Sequence, residues 1–479
     1  MPRIIFFLCS LLCVAAVGAQ TSSPWSLRAA VDYARENNLQ VQQAEYGIES
    51  ADIQLRADKL ARLPSLNSSI NGGVQFGRTV DPTTNSFDQQ TIYFNSIGIS
   101  TGLTVFNGGL LRNRIAQSEF DLEAARLDAE TTANNIGLQV ANAYLSVLLV
   151  REQITNAQAQ LALTSETLTN TERLIRAGNL PEADRFDLVA QQATNERTIV
   201  DLENQVAVSL LTLQQLLQLD VSQPFDIDDP QIELTAADLV VDFDFATVYN
   251  TARQTQPVVR AAEVRERSAQ VGEKVARAGF YPSVGISAGA NTSASSAAKS
   301  FDDSNVELIL GDPVPVQING MDVQLALPSQ QGGVLLSLPY TEQLNQNFGQ
   351  SISAGINIPI YSRGQNKAAT QQALIRTNNA RLQREQTEQQ LQLDIQRALT
   401  DLRAARQSYR AALRSVEAAQ VAFDNSTRRY EIGVSNTLDL VTATNRLDVA
   451  KVELSRAKYQ FIFNRKVVEF YLGQELSIN

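Results

Sequence analysis

Few side chains in this 479-residue sequence could carry out acid–base or nucleophilic chemistry. Histidine, the commonest general base and a common metal ligand, is absent, and the only cysteines are Cys9 and Cys13. The sequence contains no G-x-x-x-x-G-K-[ST] phosphate-binding loop. Carboxylates are plentiful, but no two of them are placed in a way that suggests a catalytic pair. The composition therefore argues against an enzyme and against a metal site built on histidine or thiolate.

The elements that would position any functional side chain occur in two copies. Phe106-Asn107-Gly108-Gly109 recurs as Tyr361-Ser362-Arg363-Gly364, and Gly178 recurs as Gly433, in both cases at an offset of 255 residues. A period of this length is not that of a solenoid. It predicts a duplicated supersecondary unit.

The N-terminus and the charge bear on the cellular location. Residues 1–19 have the pattern of a secretory signal, with Arg3 before an apolar stretch and Val17-Gly18-Ala19 as the cleavage site. Both cysteines lie inside it, so we expect no thiol in the mature chain. The net charge of −11 argues against a nucleic-acid partner. Beyond residue 19 no apolar run approaches the ~18 residues of a spanning helix, so we expect any membrane crossing to use strands.

Two long segments, 110–177 and 365–432, are rich in strong helix formers and nearly free of helix breakers. Apolar residues recur there at steps of three and four, which is heptad spacing and predicts coiled-coil packing. We interpret this helix-packing seam as structural. Its large residues are Ile395, Leu402, Tyr409, Val416 and Phe423 in the second long helix, and Leu440, Leu447 and Leu454 in the helix that follows.

Glycine at Gly178 and Gly433 predicts that each long helix ends in a left-handed turn. Shorter return helices are then expected over about 184–219 and 436–472. A further short helix opens each copy, at about 25–62 and 245–280. Two short helices placed end to end match one long helix in length. We therefore expect each copy to pack its long helix against its own two short helices, in a rod roughly 100 Å long.

Between the short and long helices of each copy, apolar and polar residues alternate with a period of two. The stretches 64–76 and 95–106 predict a first β-hairpin, and a second lies within about 283–361, with a long loop at about 293–347. About ten alternating residues suit a membrane-barrel strand. A half-buried soluble β-sandwich would show the same alternation.

Four strands cannot close a membrane barrel, and an open edge cannot face lipid. We therefore expect the protomer to oligomerise and to share its hairpins with sister copies. The predicted organisation is a signal peptide (1–19), a first structural repeat (20–219), an acidic linker (220–244) and a second structural repeat (245–479).

This plan resembles the TolC family of outer-membrane efflux and secretion channels over nearly the whole mature chain. The most specific segments are 430–444 (YEIGVSNTLDLVTAT), 77–87 (GRTVDPTTNSF) and 358–365 (IPIYSRGQ). The resemblance implies a mainly α fold with a small membrane β part. It implies a trimer with a twelve-stranded outer-membrane barrel and a periplasmic α-barrel in a diderm bacterium. It also implies a periplasmic adaptor and an inner-membrane pump as partners, and no cofactor.

The resemblance further implies a gate at the periplasmic tip. Asp439 matches an aspartate of the family's constriction ring, and Tyr430 matches a tyrosine that ties the closed state together. The sequence departs from the pattern at Thr442, where a second aspartate is expected, and at Ser435, where a basic residue is expected. Gly178 and Gly433 would form the tips that dock the adaptor.

Asp187 takes the place analogous to Asp439 in the first copy. A carboxylate near a helix start also interacts with the helix dipole by about 0.3–1 kcal/mol. For Asp187, which is a further candidate for the gate, we favour this role. For Asp439 both the gate and the dipole role stand.

The leading hypothesis is a passive exit duct of a tripartite efflux system for small molecules. An alternative is the outer-membrane component of type I protein secretion, because the pump selects the cargo. A pore-less periplasmic coiled-coil scaffold or adaptor is the alternative of another class. Adaptors usually carry one helical hairpin, and two hairpins with four membrane-length strands argue against it.

Overall fold

A computed structural model describes residues 24–475, except residues 81–84, 86, 90, 231, 236, 241, 303, 305, 332 and 333. The predicted signal sequence lies outside the described residues. The chain is mostly helical. The helices are α1 (Leu27–Asn37), α2 (Leu39–Leu60), α3 (Leu110–Arg176), α4 (Ala183–Leu217), α5 (Phe245–Thr255), α6 (Pro257–Arg277), α7 (Tyr340–Gln346), α8 (Gln365–Glu431) and α9 (Thr437–Tyr471).

Twelve short and long strands fall between these helices in the described part of the chain. They are β1 (Ser65–Gln75), β2 (Arg78–Val80), β3 (Phe87–Gln89), β4 (Ile92–Asn107), β5 (Ser283–Ser295), β6 (Lys299–Asp302), β7 (Glu307–Leu310), β8 (Val314–Ile318), β9 (Met321–Leu325), β10 (Pro328–Gln331), β11 (Val334–Ser337) and β12 (Gly349–Asn357).

The short helix predicted at the start of each copy is broken into two. In the first copy the break is Asn38, whose backbone is extended and whose side-chain oxygen accepts a bond from the Gln40 N–H at 2.9 Å. In the second copy the break is Gln256, where Pro257 disfavours helical geometry for the residue before it. The prediction of one continuous helix over 25–62 and over 245–280 was therefore wrong.

The two breaks contact the return helices in the same way. The Asn38 side-chain amide donates to the Leu216 carbonyl near the end of α4, at 2.8 Å. The Gln256 amide donates to the Phe470 carbonyl near the end of α9, at 3.4 Å. Both amides are buried. The duplication thus extends to a polar contact. In each copy this contact holds the break between the two opening helices against the end of the return helix.

Four long strands form one antiparallel sheet in the order β1-β4-β5-β12. The four predicted strands are thus confirmed, although β12 ends at Asn357 and leaves out Ile358 and Ile360. Pro359 has no N–H to donate, so the ladder cannot continue through it. β1 and β12 are the edge strands of this sheet.

The predicted long loop at 293–347 contains more structure than a loop. Three nested antiparallel pairs, β6 with β11, β7 with β10 and β8 with β9, form a two-stranded ribbon. The ribbon leaves the end of β5, and helix α7 leads back from it to β12. These strands were not predicted from the sequence.

The chain divides into two compact units, and each takes residues from both repeats. One comprises residues 24–55, 117–270 and 375–475 of the described chain, and the other 56–116 and 271–374. The first unit is helical and holds the main core, with Val140, Tyr144 and Leu148 of α3 among its fully buried side chains. No helix in the described part of the chain has a stretch both long and apolar enough to cross a membrane.

Within the helical unit, helices of the second repeat pack on α3 of the first. Ala261 and Val264 of α6 share a cluster with Ala124 and Leu127 of α3. On α9, the Ser455 hydroxyl donates to Glu152 of α3 at 2.8 Å. The two repeats are therefore interleaved, whereas the sequence analysis expected each long helix to keep its own pair of short helices.

The acidic linker is fixed to α9 by one ion-pair cluster. Asp238 contacts Arg465 at 2.6 Å, and its other oxygen accepts bonds from the Thr235 hydroxyl and N–H at 2.7 and 2.8 Å. The Thr235 hydrogen bonds, and then Arg465, lower the pKa of Asp238 to about 2. The carboxylate is therefore ionised throughout the physiological range.

Candidate functional site at the helix turns

The candidate gate lies where the long helices reverse, and the turn from α8 to α9 carries most of its residues. Gly433 has a φ of +71°, and its N–H donates to the Tyr430 carbonyl at 3.0 Å, while the Val434 N–H donates to Arg429 at 2.9 Å. These bonds form a Schellman motif, which requires a left-handed residue at this place. The structure therefore places Gly433 in the predicted turn.

Tyr430 lies inside this turn and is only 4% exposed. Its hydroxyl is 2.6 Å from the Thr171 hydroxyl of α3 and accepts a longer bond from Thr437 of α9 at 3.4 Å. All three side chains are buried. One phenol therefore joins the last turn of α8 to a helix of the other repeat and to the start of α9.

Neither Thr171 nor Thr437 was predicted from the sequence as a partner of Tyr430. The signal for Thr171 was present, because Thr164 and Leu168 occupy the α3 seam and the same spacing leads on to residue 171. Heptad spacing alone does not show which buried hydroxyl faces which.

Asp439 is exposed in the first turn of α9. Its backbone N–H donates to the side chain of the N-cap residue Asn436 at 2.8 Å, and its carboxylate accepts a bond from the Ser435 hydroxyl at 3.0 Å. This is a reciprocal cap closely related to the capping box. The geometry thus gives Asp439 a helix-start role and leaves its charge at the surface.

The turn at Gly178, which joins α3 to α4, places its carboxylates differently. Gly178 has a φ of +79° and the same Schellman bonds, to Ile175 and Leu174. The acidic residue in the first turn of α4 is Asp184, and Asp187 is the fifth residue of that helix and exposed. The place equivalent to Asp439 therefore belongs to Asp184, because Asp184 lies 255 residues before Asp439.

Thr442, where the family pattern has an acidic residue, is exposed and donates to the Leu438 carbonyl of its own helix at 2.7 Å. Ser435, where the family pattern has a basic residue, donates its hydroxyl hydrogen bond to Asp439. Neither residue contacts Tyr430 through a hydrogen bond in the described part of the chain. The structure therefore separates a buried Tyr430 cluster from an exposed Asp439 cap.

The seam residues divide by depth. Ile395, Leu402 and Tyr409 of α8 are buried, as are Leu440 and Leu447 of α9, whereas Val416, Phe423 and Leu454 are half-buried. Beside Leu454, the last residue of the seam, the neighbouring Ser455 is buried instead, and its hydroxyl donates to Glu152. The seam drifts because an α-helix has 3.6 residues per turn rather than the 3.5 of a strict heptad.

A buried polar layer above the turns was not predicted either. The Asn195 amide of α4 donates to the Thr164 hydroxyl of α3 at 2.9 Å and accepts a bond from Gln191 at 2.9 Å. At the exposed edge of this layer, Asn445 of α9 donates to Gln191 at 3.5 Å. Buried polar groups of this kind favour one register between helices, because a slip would leave them unpaired.

The four-stranded sheet has two chemically different faces and no charged residue in any of its strands. Alternate residues along a strand point to opposite faces. One face carries the large apolar side chains Leu66, Ile70, Val74, Ile97, Ile99, Leu103, Ile286, Ile352 and Ile356. The other carries mainly Ser, Asn and Gly, with Ile92 and Phe94 as its large apolar exceptions, and includes Asn67, Ser69, Asn71, Ser96, Ser100, Ser287, Ser351 and Ser353.

The pattern G-x-S-x-G occurs twice, at 98–102 in β4 and at 285–289 in β5. A hydrolase nucleophile with this pattern sits on a sharp strand-to-helix turn. Here both serines lie within antiparallel strands, and Ser287 bonds to the Ser353 hydroxyl at 2.8 Å. These serines therefore belong to the polar face of the sheet.

Comparison with known proteins agrees with this architecture. The family model described as outer membrane efflux protein matches residues 30–218, 248–321 and 332–474. The outer membrane efflux protein BepC of Brucella suis is 23% identical over 470 residues, which cover 96% of this chain and 90% of BepC. The pyoverdine export outer membrane protein OpmQ of Pseudomonas putida is 23% identical over 429 residues, covering 89% and 81%.

Two solved structures show the same fold at lower identity. The CusC structure superimposes with a TM-score of 0.72 at 18% identity and covers 94% of this chain and 92% of its own. The outer membrane protein VceC from Vibrio cholerae also gives a TM-score of 0.72, at 16% identity, covering 94% and 97%.

Proposed function

The chain belongs to the outer membrane efflux protein family, and we propose that it works as a homotrimer, as the passive exit duct of a tripartite efflux system. It is an outer-membrane protein and an efflux component. In the proposed assembly the four-stranded sheets of three copies close one twelve-stranded barrel, and the helical parts extend into the periplasm.

The observation that carries the proposal is the sheet. An apolar face suits lipid, and a face of hydroxyls and amides suits a water-filled lumen. Its edge strands β1 and β12 must find partners, because hydrocarbon cannot satisfy backbone N–H and C=O groups. A neighbouring copy supplies the required strand on each side.

The turns supply the proposed contact with a periplasmic adaptor and, through it, with an inner-membrane pump. Ile432, Val434 and Leu438 are large, apolar and mostly exposed around Gly433. Exposed apolar groups at a helix tip are expected to be covered by a partner. Gly178 and Gly433 fix the two turns that present such a surface.

The proposed gate consists of Tyr430 with its hydroxyl partners and of the exposed Asp439. Tyr430 holds the end of α8 against α3, so opening the tip would require its hydrogen bonds to be exchanged. Asp439 would place one carboxylate per copy at the constriction and would favour cations there. Thr442 is a secondary member of this proposed gate, whereas Asp187 is left out of it because Asp184 holds the place equivalent to Asp439.

Small molecules are the proposed cargo. Pyoverdine export, named for the relative OpmQ, is the transport of a small molecule. The polar face of the sheet, which carries no charged residue, also suits cargo of either charge sign. A duct of this kind needs no cofactor, because the pump supplies the energy.

Disulfide formation between edge strands tests the proposed closure. Ser69→Cys in β1 would be combined in turn with Ser351→Cys or Ser353→Cys in β12, all on the polar face. Mild oxidation of outer membranes should give covalent trimers for at least one pair. The control Ser69→Cys with Ile352→Cys, on the opposite face, should not. A failure of both pairs, together with a monomeric mass in detergent, would overturn the proposal.

A further inference from the structure

The outer half of the ribbon, β8 and β9, is an amphipathic hairpin with nothing packed on its apolar face in the described structure. Asn319 and Gly320 connect the strands with positive φ values of 53° and 82°. Positive φ at both central residues is the type I′ geometry that fits a two-residue hairpin. The turn therefore fixes the register of the two strands.

That register gathers every apolar side chain of the hairpin except Pro315 on one face. The directly opposed pairs are Val314 with Leu325, Val316 with Val323, and Ile318 with Met321. The intervening positions are Pro315, Gln317, Asp322 and Gln324, which point to the other face. All six members of the apolar face are exposed, by 37% to 71%.

An isolated two-stranded hairpin is at best marginally stable in water and needs a hydrophobic cover. Contiguous exposed apolar surface of this kind marks an interaction site. We propose that the cover is the same face of the same hairpin in the other two copies of the chain. The inference rests on the proposed trimer.

The position of the ribbon supports a second copy as the occupant. β6 begins four residues after the end of β5, and α7 returns the chain to the adjacent strand β12. The ribbon is thus attached at one end of the sheet. In a closed ring all copies carry their ribbons on the same rim, so the three ribbons lie around one axis, and we place their apolar faces toward it.

Charge argues against the lipid surface as the occupant. Residues 301–346 contain Asp302, Glu307, Asp312 and Asp322 among their acidic residues and no lysine or arginine. Anionic phosphates of the outer leaflet would repel such a segment. Contact among copies can bury the apolar face while the polar face, with Asp322, stays in water.

Single cysteines test this contact, because Cys9 and Cys13 lie in the predicted signal and the mature chain is expected to lack thiols. Val316→Cys and Val323→Cys place a thiol on the apolar face. Gln317→Cys and Gln324→Cys are matched controls on the polar face of the same strands. Oxidised outer membranes should show a shift from monomer to covalent dimer for the two apolar-face variants and not for the controls.

The edge-strand pair Ser69→Cys with Ser353→Cys or Ser351→Cys, oxidised in parallel membranes, reports trimer closure independently. If that pair cross-links and the apolar-face thiols do not, the ribbon contact is overturned while the trimer stands. Equal cross-linking on both ribbon faces would also overturn it. So would apolar-face thiols that are protected from an impermeant maleimide in cells and yet form no dimer, because another component would then cover them.

Discussion

The hydroxyl of Tyr430 lies 2.6 Å from the hydroxyl of Thr171, and this bond joins the ends of the two long helices. The two residues are 259 positions apart and belong to different repeats. Both are buried, so the bond has no competing water. Tyr430 therefore couples the two helical hairpins of one copy at the tip that we propose to open.

We expect Tyr430→Phe to loosen the tip. The substitution keeps the ring, removes the hydroxyl and leaves Thr171 without this partner, at a cost of about 0.5–1.5 kcal/mol. The open probability in planar bilayers should rise by up to about tenfold, since 1.4 kcal/mol corresponds to a factor of ten. Tyr46→Phe is the matched control, because Tyr46 is 69% exposed on α2. An unchanged open probability for both variants would show that Tyr430 does not restrain the tip.

The proposed cation preference should depend on Asp439. Asp439→Asn keeps the backbone bond to Asn436 but removes the charge, so the reversal potential in a salt gradient should move toward zero. The helix start should lose about 0.3–1 kcal/mol. Asp184→Asn, in the same place on α4, controls for the loss of a helix-start charge, and Asp187→Asn should have a smaller effect on that helix. If Asp184→Asn and Asp439→Asn shift the reversal potential equally, the carboxylate at the start of α9 is not the source of the cation selectivity.

Gly433 and Gly178 should resist substitution because of their backbone angles and not because of crowding. Nothing lies within 4 Å of an added Cβ at either position, but both have φ near +75°. We expect Gly433→Ala to cost about 1–2 kcal/mol and to weaken adaptor binding. Gly47→Ala is the control, since Gly47 is helical and has open space, and alanine there should stabilise α2 by about 0.5–1 kcal/mol.

Equal effects of Gly433→Ala and Gly47→Ala on unfolding would contradict the strain argument. Adaptor affinity, measured with the purified adaptor once it is identified, separates a loss of docking from a loss of stability.

The stability that Asp238 of the acidic linker contributes should depend on pH. Its pKa is lowered to about 2, first by the Thr235 hydrogen bonds and then by Arg465. A lowered carboxyl pKa adds stability that is fully present above the ordinary value of about 3.9. That stability is lost as the pH falls from there through about 2. The urea midpoint of Asp238→Asn should therefore lie below that of the unaltered protein at pH 6, and the difference should vanish as the pH falls below about 2. A difference independent of pH would contradict this origin.

Periodicity in the sequence predicted the parts of the fold that repeat over many residues. The long helices expected at 110–177 and 365–432 end within a residue of Arg176 and Glu431, because seam and glycine signals agree there. The break at Gln256 also has a signal in the sequence, Pro257, which disfavours helical geometry at the residue before it. The break at Asn38 had no such signal, since a single extended asparagine interrupts an otherwise helical pattern.

The ribbon illustrates a signal that was present and overlooked. Alternating apolar residues on both sides of Asn319-Gly320 are a strong hairpin pattern, but the surrounding Gly, Pro and Ser favoured a loop. The Tyr430 cluster illustrates the opposite case. Its partner comes from another repeat, and only the packing of α3 against α8 and α9 brings Thr171 to the phenol.

Single-channel recording in planar lipid bilayers tests the central proposal most directly, namely that the assembled chain forms a conduit. Protein purified in detergent should insert and give uniform, small conductance steps that prefer cations, with the preference reduced in Asp439→Asn. A protein that stays in solution without detergent and never produces a conductance step would contradict the proposed duct.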